Sequence, residues 1–160
     1  MDPDRELVRA AIDRDVLALL YASPELRSDR EFVLAAVEKR GRGALLYASP
    51  ELRSDREFVL AVQKRVGGGG ALLYASPELL SDREFVLAAV KKRGEALLYA
   101  SEELRSDREF VLAAVKQRGE ALLYASEELR ADRELVLAMV GHAGYNLKFT
   151  SEALRADNGV

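Results

Sequence analysis

ALLYASPELRSDREFVLAAV, Ala18 to Val37, recurs along the chain as Ala44–Val62 with one Ala missing, then as Ala71–Val90, Ala96–Val115 and Ala121–Val140. A worn copy, NLKFTSEALRAD, occupies Asn146–Asp157, and a partial one, DRELVRAAI, occupies Asp4–Ile12. The Asp of Asp-Arg-Glu gives the register: Asp4, Asp29, Asp55, Asp82, Asp107, Asp132 and Asp157, at intervals of 25, 26, 27, 25, 25 and 25 residues. An aromatic keeps the same beat at Tyr21, Tyr47, Tyr74, Tyr99, Tyr124 and Phe149. A constant period of this length is produced by stacked supersecondary units, each burying its apolar face on its neighbour.

Within one repeat, Asp29–Arg40 is expected to be helical. Phe32, Val33, Ala36 and Val37 form a stripe at helical spacing, widened by Leu34 and Ala35. Ser28-Asp29-Arg30-Glu31 has the form of a capping box, with Ser28 as N-cap and Glu31 reaching back to its backbone N–H. The pair recurs as Ser54/Glu57, Ser81/Glu84 and Ser106/Glu109. Lys39 and Arg40 suit the negative end of the helix dipole, and Gly41 ends the helix. Next comes a short helix, Ala44–Ala48, whose Leu45, Leu46 and Tyr47 are too apolar to face water together. Ser49-Pro50-Glu51-Leu52 then gives one helical turn, possible as 3₁₀, with a Ser cap and Pro at its first position. No segment alternates with period two, so strands are not expected.

The fold class predicted is all-α: an α-solenoid of about six helical-hairpin repeats of ~25 residues, each a long helix, a short helix and a one-turn connector. The repeats fall near 4–28, 29–54, 55–81, 82–106, 107–131 and 132–156 within a single repeat domain. Residues 157–160 are the start of a truncated repeat or a C-terminal cap. In the third repeat LAVQKRVGGGGALL replaces LAAVKKRGEALL; an Ala is lost from the helix and Gly67–Gly70 marks a candidate bend. The first repeat has Asp15-Val16 where its siblings carry glycine, so its first helix can run straight on.

Composition narrows the function classes. Twenty-four Lys+Arg face twenty-seven Asp+Glu with the signs interleaved, and the net charge of −3 is no general lure for nucleic acid or an anionic membrane. There is no cysteine, which excludes disulfide and thiolate chemistry. Apolar runs such as Phe85–Val90 are far below the roughly 20 residues that span a bilayer. The N-terminal MDPDRELVRAAIDRD lacks an apolar signal core, so an intracellular location is the default.

The pattern D-[RK]-E-[FV]-V-L-A-A-V-K-x-x-G-x-A-L-x-[YF]-A-S-E-E-L-R-x-D resembles the tandem repeat family catalogued as domain of unknown function 4116. Asp107–Asp132, DREFVLAAVKQRGEALLYASEELRAD, is similar to its consensus, and Gly144–Glu152, GYNLKFTSE, to a natural variant. The resemblance extends from Asp4 to Asp157. It implies an all-helical tandem array with no known activity, so no catalytic or ligand residues carry over. The four-glycine linker and the missing Ala depart from the pattern.

Candidate chemistry is sparse. His142, the single histidine, stands alone without Cys or a spaced carboxylate, so it makes neither a zinc site nor a triad; it sits where siblings carry a helix-end Lys. The repeated Asp29/Glu31 pairs belong to helix caps rather than to a calcium loop, which needs several oxygen ligands around a glycine turn. The tyrosines are expected in the core with the hydroxyl at an edge, although a ladder of aromatics also suits stacked bases. Gly67–Gly70 lacks the Lys-Ser/Thr of a phosphate loop. No cofactor, no metal and no catalytic residue is expected, and the chain is not expected to be an enzyme.

The arginines are the candidate interaction surface. Arg30, Arg56, Arg83, Arg108 and Arg133 follow the register Asp, as does Arg5. Arg27, Arg53, Arg105 and Arg130 precede it by two places, as does Arg155, with Leu80 breaking the series. Arginine suits carboxylate or phosphate, yet each has acids beside it, so pairing between repeats competes with any ligand. The function expected is a scaffold binding a protein or peptide along its repeated face. The alternatives are a nucleic-acid or polyphosphate binder using the arginine rows, and a spacer within a larger protein. No membrane partner is expected, and end-to-end self-association is compatible with the pattern.

Overall fold

The computed structural model describes residues 3–67 and 69–141. Five of its long helices start at a side chain that satisfies a backbone N–H left over at the helix start. Asp29 accepts a hydrogen bond from the backbone N–H of Phe32 at 2.9 Å, and Asp55, Asp82, Asp107 and Asp132 do the same for Phe58, Phe85, Phe110 and Leu135 at 2.8–3.1 Å. The N-cap is therefore the register Asp, one residue later than the Ser28, Ser54, Ser81 and Ser106 read from the sequence. Ser28 and Ser106 instead close the preceding one-turn helices. Both residue types are good caps. Asp prevails because the extended conformation of an N-cap falls at its position (φ −79°, ψ 112° for Asp29).

The long helices so started are Arg30–Arg40, Arg56–Val66, Arg83–Lys92, Arg108–Gln117 and Arg133–Gly141, and a further long helix, Pro3–Ile12, precedes them. After each of the first five comes a six-residue 3₁₀ helix, at Val16–Tyr21, Arg42–Tyr47, Gly69–Tyr74, Gly94–Tyr99 and Gly119–Tyr124. A one-turn α-helix follows, at Pro24–Ser28, Pro50–Arg53, Pro77–Leu80, Glu102–Ser106 and Glu127–Arg130. The two short pieces exchange the types expected of them: the apolar LLY stretch is 3₁₀, and the Ser-Pro-Glu-Leu turn is α. Ser23, Ser49, Ser101 and Ser126 cap the latter by accepting from the Leu three residues on, at 3.3–3.5 Å. The first repeat does not run straight on. Its long helix stops at Ile12, and Asp15 starts the next 3₁₀ helix by accepting from Leu17 N–H at 2.9 Å.

The 3₁₀ geometry has a consequence for burial. With three residues per turn, residues i and i+3 lie above one another. Leu45 stacks with Ala48 and Ala44 with Tyr47, which makes two ridges, and Leu46 stands on the third beside Gly43. Ala44, Leu45 and Ala48 are buried, Tyr47 is half-buried and Leu46 is 53% exposed. Leu20, Leu73 and Leu98 repeat this at 52%, 58% and 47%. The expectation that all of Leu45, Leu46 and Tyr47 turn inward holds for one residue fully, one partly and one not at all.

The chain divides into two compact units, 1–76 and 77–160. In the first, each long helix packs on its own 3₁₀ helix and on the next long helix, and the three 3₁₀ helices pack in sequence. The result is two layers with one core, which includes Phe32, Val33, Ala36, Val37, Leu45, Phe58 and Val62. Burying a Phe or Val of this kind stabilises by about 1.5–3 kcal/mol. The repeats are also joined through the backbone: Ser49 N–H donates to the Arg27 carbonyl at 2.9 Å, and Ser76 N–H to Arg53 at 3.0 Å. Gly67–Gly70 lies inside this unit. The second unit has the same construction, with Phe85, Val86, Phe110, Val111, Leu135 and Met139 buried. Its backbone links are Ser101 N–H to Leu80 at 2.8 Å and Ser126 N–H to Arg105 at 2.9 Å. Each unit is thus an all-α repeat stack of the solenoid kind.

Glycine does not play one role throughout. Gly41 and Gly67 end their helices with φ +79° and +69° and ψ near 180°, a region reserved for glycine. In the second unit the helices end one residue earlier, at Lys92 and Gln117, and Gly94 opens the 3₁₀ helix. There a Cβ would stand 2.1 Å from Glu120 Cγ, and the Gly94 N–H donates to Glu120 Oε1 at 2.9 Å. The demand at Gly94 is for space; at Gly41 it is for backbone conformation.

The missing Ala of the third repeat does not shorten its helix. Arg56–Val66 has 11 residues, as does Arg30–Arg40. The helix instead keeps its length with shifted residues, which puts Gln63 where the other repeats bury Val37, Val90 and Val115. Gln63 is 3% exposed, and neither its Oε1 nor its Nε2 has a hydrogen-bond partner. A buried polar group left unpaired costs about 1–3 kcal/mol. Gln63→Val is therefore expected to stabilise the chain by about 1–2 kcal/mol, seen as a higher urea midpoint by circular dichroism. An unchanged or lower midpoint would show that Gln63 is satisfied in solution.

Candidate interaction surface

The two arginine rows of the sequence have different fates. The row following the register Asp starts each long helix and reaches to the next repeat. In the first unit Arg5 meets Asp29 at 2.5 Å, and Arg30 pairs with Asp55. In the second unit Arg83 meets Asp107 at 2.5 Å, while Arg108 meets Asp132 at 2.9 Å and also pairs with Glu134. Arg56 is engaged as well. The same guanidinium groups lie over the aromatic that their partner Asp caps: Arg5 is 5.5 Å from the Phe32 ring centroid, Arg30 5.5 Å from Phe58 and Arg83 5.1 Å from Phe110. The counterpart of these acids for Arg133 is Asp157, outside the described residues.

Asp29 and Asp107 consequently sit below the usual carboxylate range, first because of the backbone N–H each accepts and then because of its arginine. For Asp132 the Arg108 bond is the larger cause. Further ties add to the joint. Arg40 Nε donates to the Ile12 carbonyl at 2.6 Å, and Arg118 Nε to Lys91 at 3.1 Å, each placing a cation at the end of the preceding long helix. Lys39 pairs with Asp13 and Arg65 with Glu38. Exposed pairs of this type contribute about 0.2–1 kcal/mol each. Charge in this row serves repeat-to-repeat attachment.

The row two places before the Asp is built otherwise. Arg27, Arg53, Arg105 and Arg130 lie in the last turn of their one-turn helices and are half-buried, and the Nε of each is buried without a hydrogen-bond partner. Among the described residues none of the four forms an ion pair. The nearest acids in sequence are occupied. Glu25, Glu51 and Glu103 each accept their own backbone N–H and the hydroxyl of the capping Ser23, Ser49 or Ser101, which holds their carboxyl groups below the ordinary value.

In the first unit this row borders the exposed leucines. An open groove of about 540 Å³ is lined by Leu20, Arg27, Leu46, Tyr47, Pro50 and Arg53, among others. Tyr47 and Tyr74 are half-buried against the core, and the Tyr74 hydroxyl comes within 4.0 Å of a Cβ placed on Gly43, so these two meet the expectation of a core tyrosine in part. Tyr21 does not, at 84% exposure. A smaller cavity of about 230 Å³ lies between the first two long helices, lined by Arg5, Arg9, Glu31, Phe32, Ala35 and Lys39. The sequence reading missed the leucines Leu20, Leu46, Leu73 and Leu98. The signal for them is the length of the LLY stretch, six residues between two caps, which favours a three-residue period over 3.6.

Among the described residues no cluster of His, Asp and Glu is placed to hold a metal ion, and no helix is long and apolar enough to cross a membrane. His142, Phe149, Arg155 and the repeat at 146–157 lie outside the described residues.

Compared with known proteins, the chain matches the family described as Domain of unknown function (DUF4116) four overlapping times, over residues 4–53, 39–79, 61–105 and 107–155. The chain belongs to that tandem repeat family. No curated protein and no solved structure matches it.

The double role of the register Asp can be checked by acid titration. A carboxyl group whose pKa is lower in the folded state stabilises the fold above its unfolded pKa, and that contribution is lost as pH falls through the folded value. Asp29→Asn keeps a capping side chain and removes the charge. Its deficit against the parent should be no more than about 1 kcal/mol at pH 7; it should begin to shrink below about pH 4, where the unfolded carboxyl takes up its proton, and disappear once pH falls through the lower folded value. Asp29→Ala, which removes the cap as well, should cost about 1 kcal/mol more. Urea midpoints at pH 7 and pH 3 make the comparison; equal deficits for the two variants would contradict the capping role.

Proposed function

We propose that this chain is a non-enzymatic scaffold that binds a segment of another protein along the face formed by its 3₁₀ and one-turn helices. The supporting observation is a leucine left exposed at the same position of each repeat in the first unit, Leu20, Leu46 and Leu73, at 52%, 53% and 58%; Leu7 and Leu17 of the first repeat are exposed as well. Scattered exposed leucines are ordinary on any protein surface. A leucine exposed at the same place in each successive repeat is an apolar row, and such rows mark binding surfaces. Stacked repeats present extended surfaces of this kind. The inference from architecture to binding is an analogy at the level of the fold; the leucines are what attach it to this chain.

The reading gives no catalytic role to any residue. It also weighs against a nucleic-acid or polyphosphate surface along the whole array, because the arginines that follow the register Asp are engaged by acids of the next repeat.

Selection of random extended dodecapeptides on the purified chain tests the proposal, with Leu20→Ser/Leu46→Ser/Leu73→Ser as the counter-target. Burying one leucine contributes about 1.5–3 kcal/mol, so the triple variant should weaken an enriched peptide at least tenfold. Its melting curve should stay close to the parent's, because these side chains are solvent-facing. Failure to enrich any sequence, or enriched peptides that bind both proteins equally, would remove the proposal.

A further inference from the structure

Resting on the peptide-binding reading, we infer that the occupant of the first unit's groove is an acidic, extended peptide segment. Arg27 and Arg53 receive two of its carboxylates, and an apolar side chain between them lies over Leu46 and Tyr47.

Three observations converge. The first is charge without an ion-pair partner: Arg27 and Arg53 border one groove, and neither pairs with an acid among the described residues, although Glu51 lines the same groove and Glu25 is close in sequence. Those glutamates accept hydrogen bonds from their capping serine and their own N–H instead. The second is immobility. Each arginine is half-buried with its Nε packed away from solvent, so the side chain has already lost much of its rotamer freedom. An arginine immobilised before a ligand arrives loses less entropy on binding. The third is the apolar surface in the same groove, made by Leu46 with Pro50 and the half-buried Tyr47.

A carboxylate matches the guanidinium fork. The alternation of charge, apolar surface and charge selects a peptide over a nucleic-acid strand, whose every step carries a phosphate and which would run past Glu25 and Glu51 as well. Neighbouring packed helices lie about 8–10 Å apart, and a chain extended in the polyproline II form rises about 3.1 Å per residue and returns to the same face every third residue. The two acids should therefore be about three residues apart, as in Asp-Leu-Leu-Asp.

Fluorescence anisotropy with defined probes tests this. The probes are a labelled extended peptide centred on Asp-Leu-Leu-Asp, its Asn-Leu-Leu-Asn analogue, its Lys-Leu-Leu-Lys analogue and an oligothymidylate. The parent should bind the acidic peptide at least tenfold more tightly than the Asn form, with the Lys form weakest. Arg27→Gln/Arg53→Gln, which preserves most of the packed stem, should weaken the acidic peptide and leave the Asn form unchanged. Adding Arg105→Gln and Arg130→Gln removes any contribution from the same positions in the second unit. The preference for acid should fall with added salt. Equal binding of the Asp and Asn probes, no effect of the arginine variants, no binding of the acidic probe, or tighter arginine-dependent binding of the oligothymidylate would each overturn the inference. If peptides selected as above still bind in a leucine-dependent way, scaffold binding survives and only its acidic specificity fails. If those peptides fail too, the peptide-binding reading falls with it.

Discussion

One carboxylate per repeat holds two separate things at once. Asp29 accepts the backbone N–H of Phe32, which sets where its own helix starts, and it takes the guanidinium of Arg5 from the repeat before. Asp107 does the same with Phe110 and Arg83. The arginine rests in turn on the phenyl ring whose backbone the carboxylate caps. Helix start, ring position and repeat-to-repeat attachment are therefore one local arrangement. Neither bond is strong alone: an exposed ion pair is worth about 0.2–1 kcal/mol and a cap about 1. Recurring at the joints within each unit, they fix the register in which much larger apolar areas meet.

The second layer hangs on this first one. A six-residue 3₁₀ helix is too short to persist unaided, and here it is held by the buried Leu45 or Leu97 and by the Ser N–H that donates to the preceding repeat's carbonyl. With Lys39, Arg40, Arg65 and Arg118 also engaged between repeats, much of the cationic surface is committed to assembly. Arg27 and its equivalents, with the leucines beside them, take no part in these attachments.

The repeat length, the long helices and the core stripe were legible in the sequence because each is a periodicity, and Phe32, Val33, Ala36 and Val37 can only be buried together on a helix. Cap identity was not. Ser28 and Asp29 are adjacent and chemically interchangeable as caps, and the choice depends on where the preceding turn ends in space. The fate of the arginines was half legible, since acids beside every arginine made pairing between repeats the natural expectation. That Glu51 would spend its oxygens on Ser49 and its own backbone, leaving Arg27 and Arg53 without partners, is a matter of geometry that composition does not carry. Gln63 was hidden for another reason. Aligned by similarity the third repeat looks one residue short, whereas aligned by helix length it is shifted, and only the second alignment puts a polar residue in the core.

The three-residue period of the LLY turn has a consequence for how such arrays diverge. The three side chains buried in each turn, the first leucine and the flanking alanines, stand on different ridges from the second leucine. Mutation at Leu46 or Leu73 is therefore nearly invisible to the core, while mutation at Leu45 or Leu72 removes part of it. A lineage can rewrite the outer position repeat by repeat without risking the stack. Duplication of a whole repeat then copies a foldable part together with a freely adjustable one.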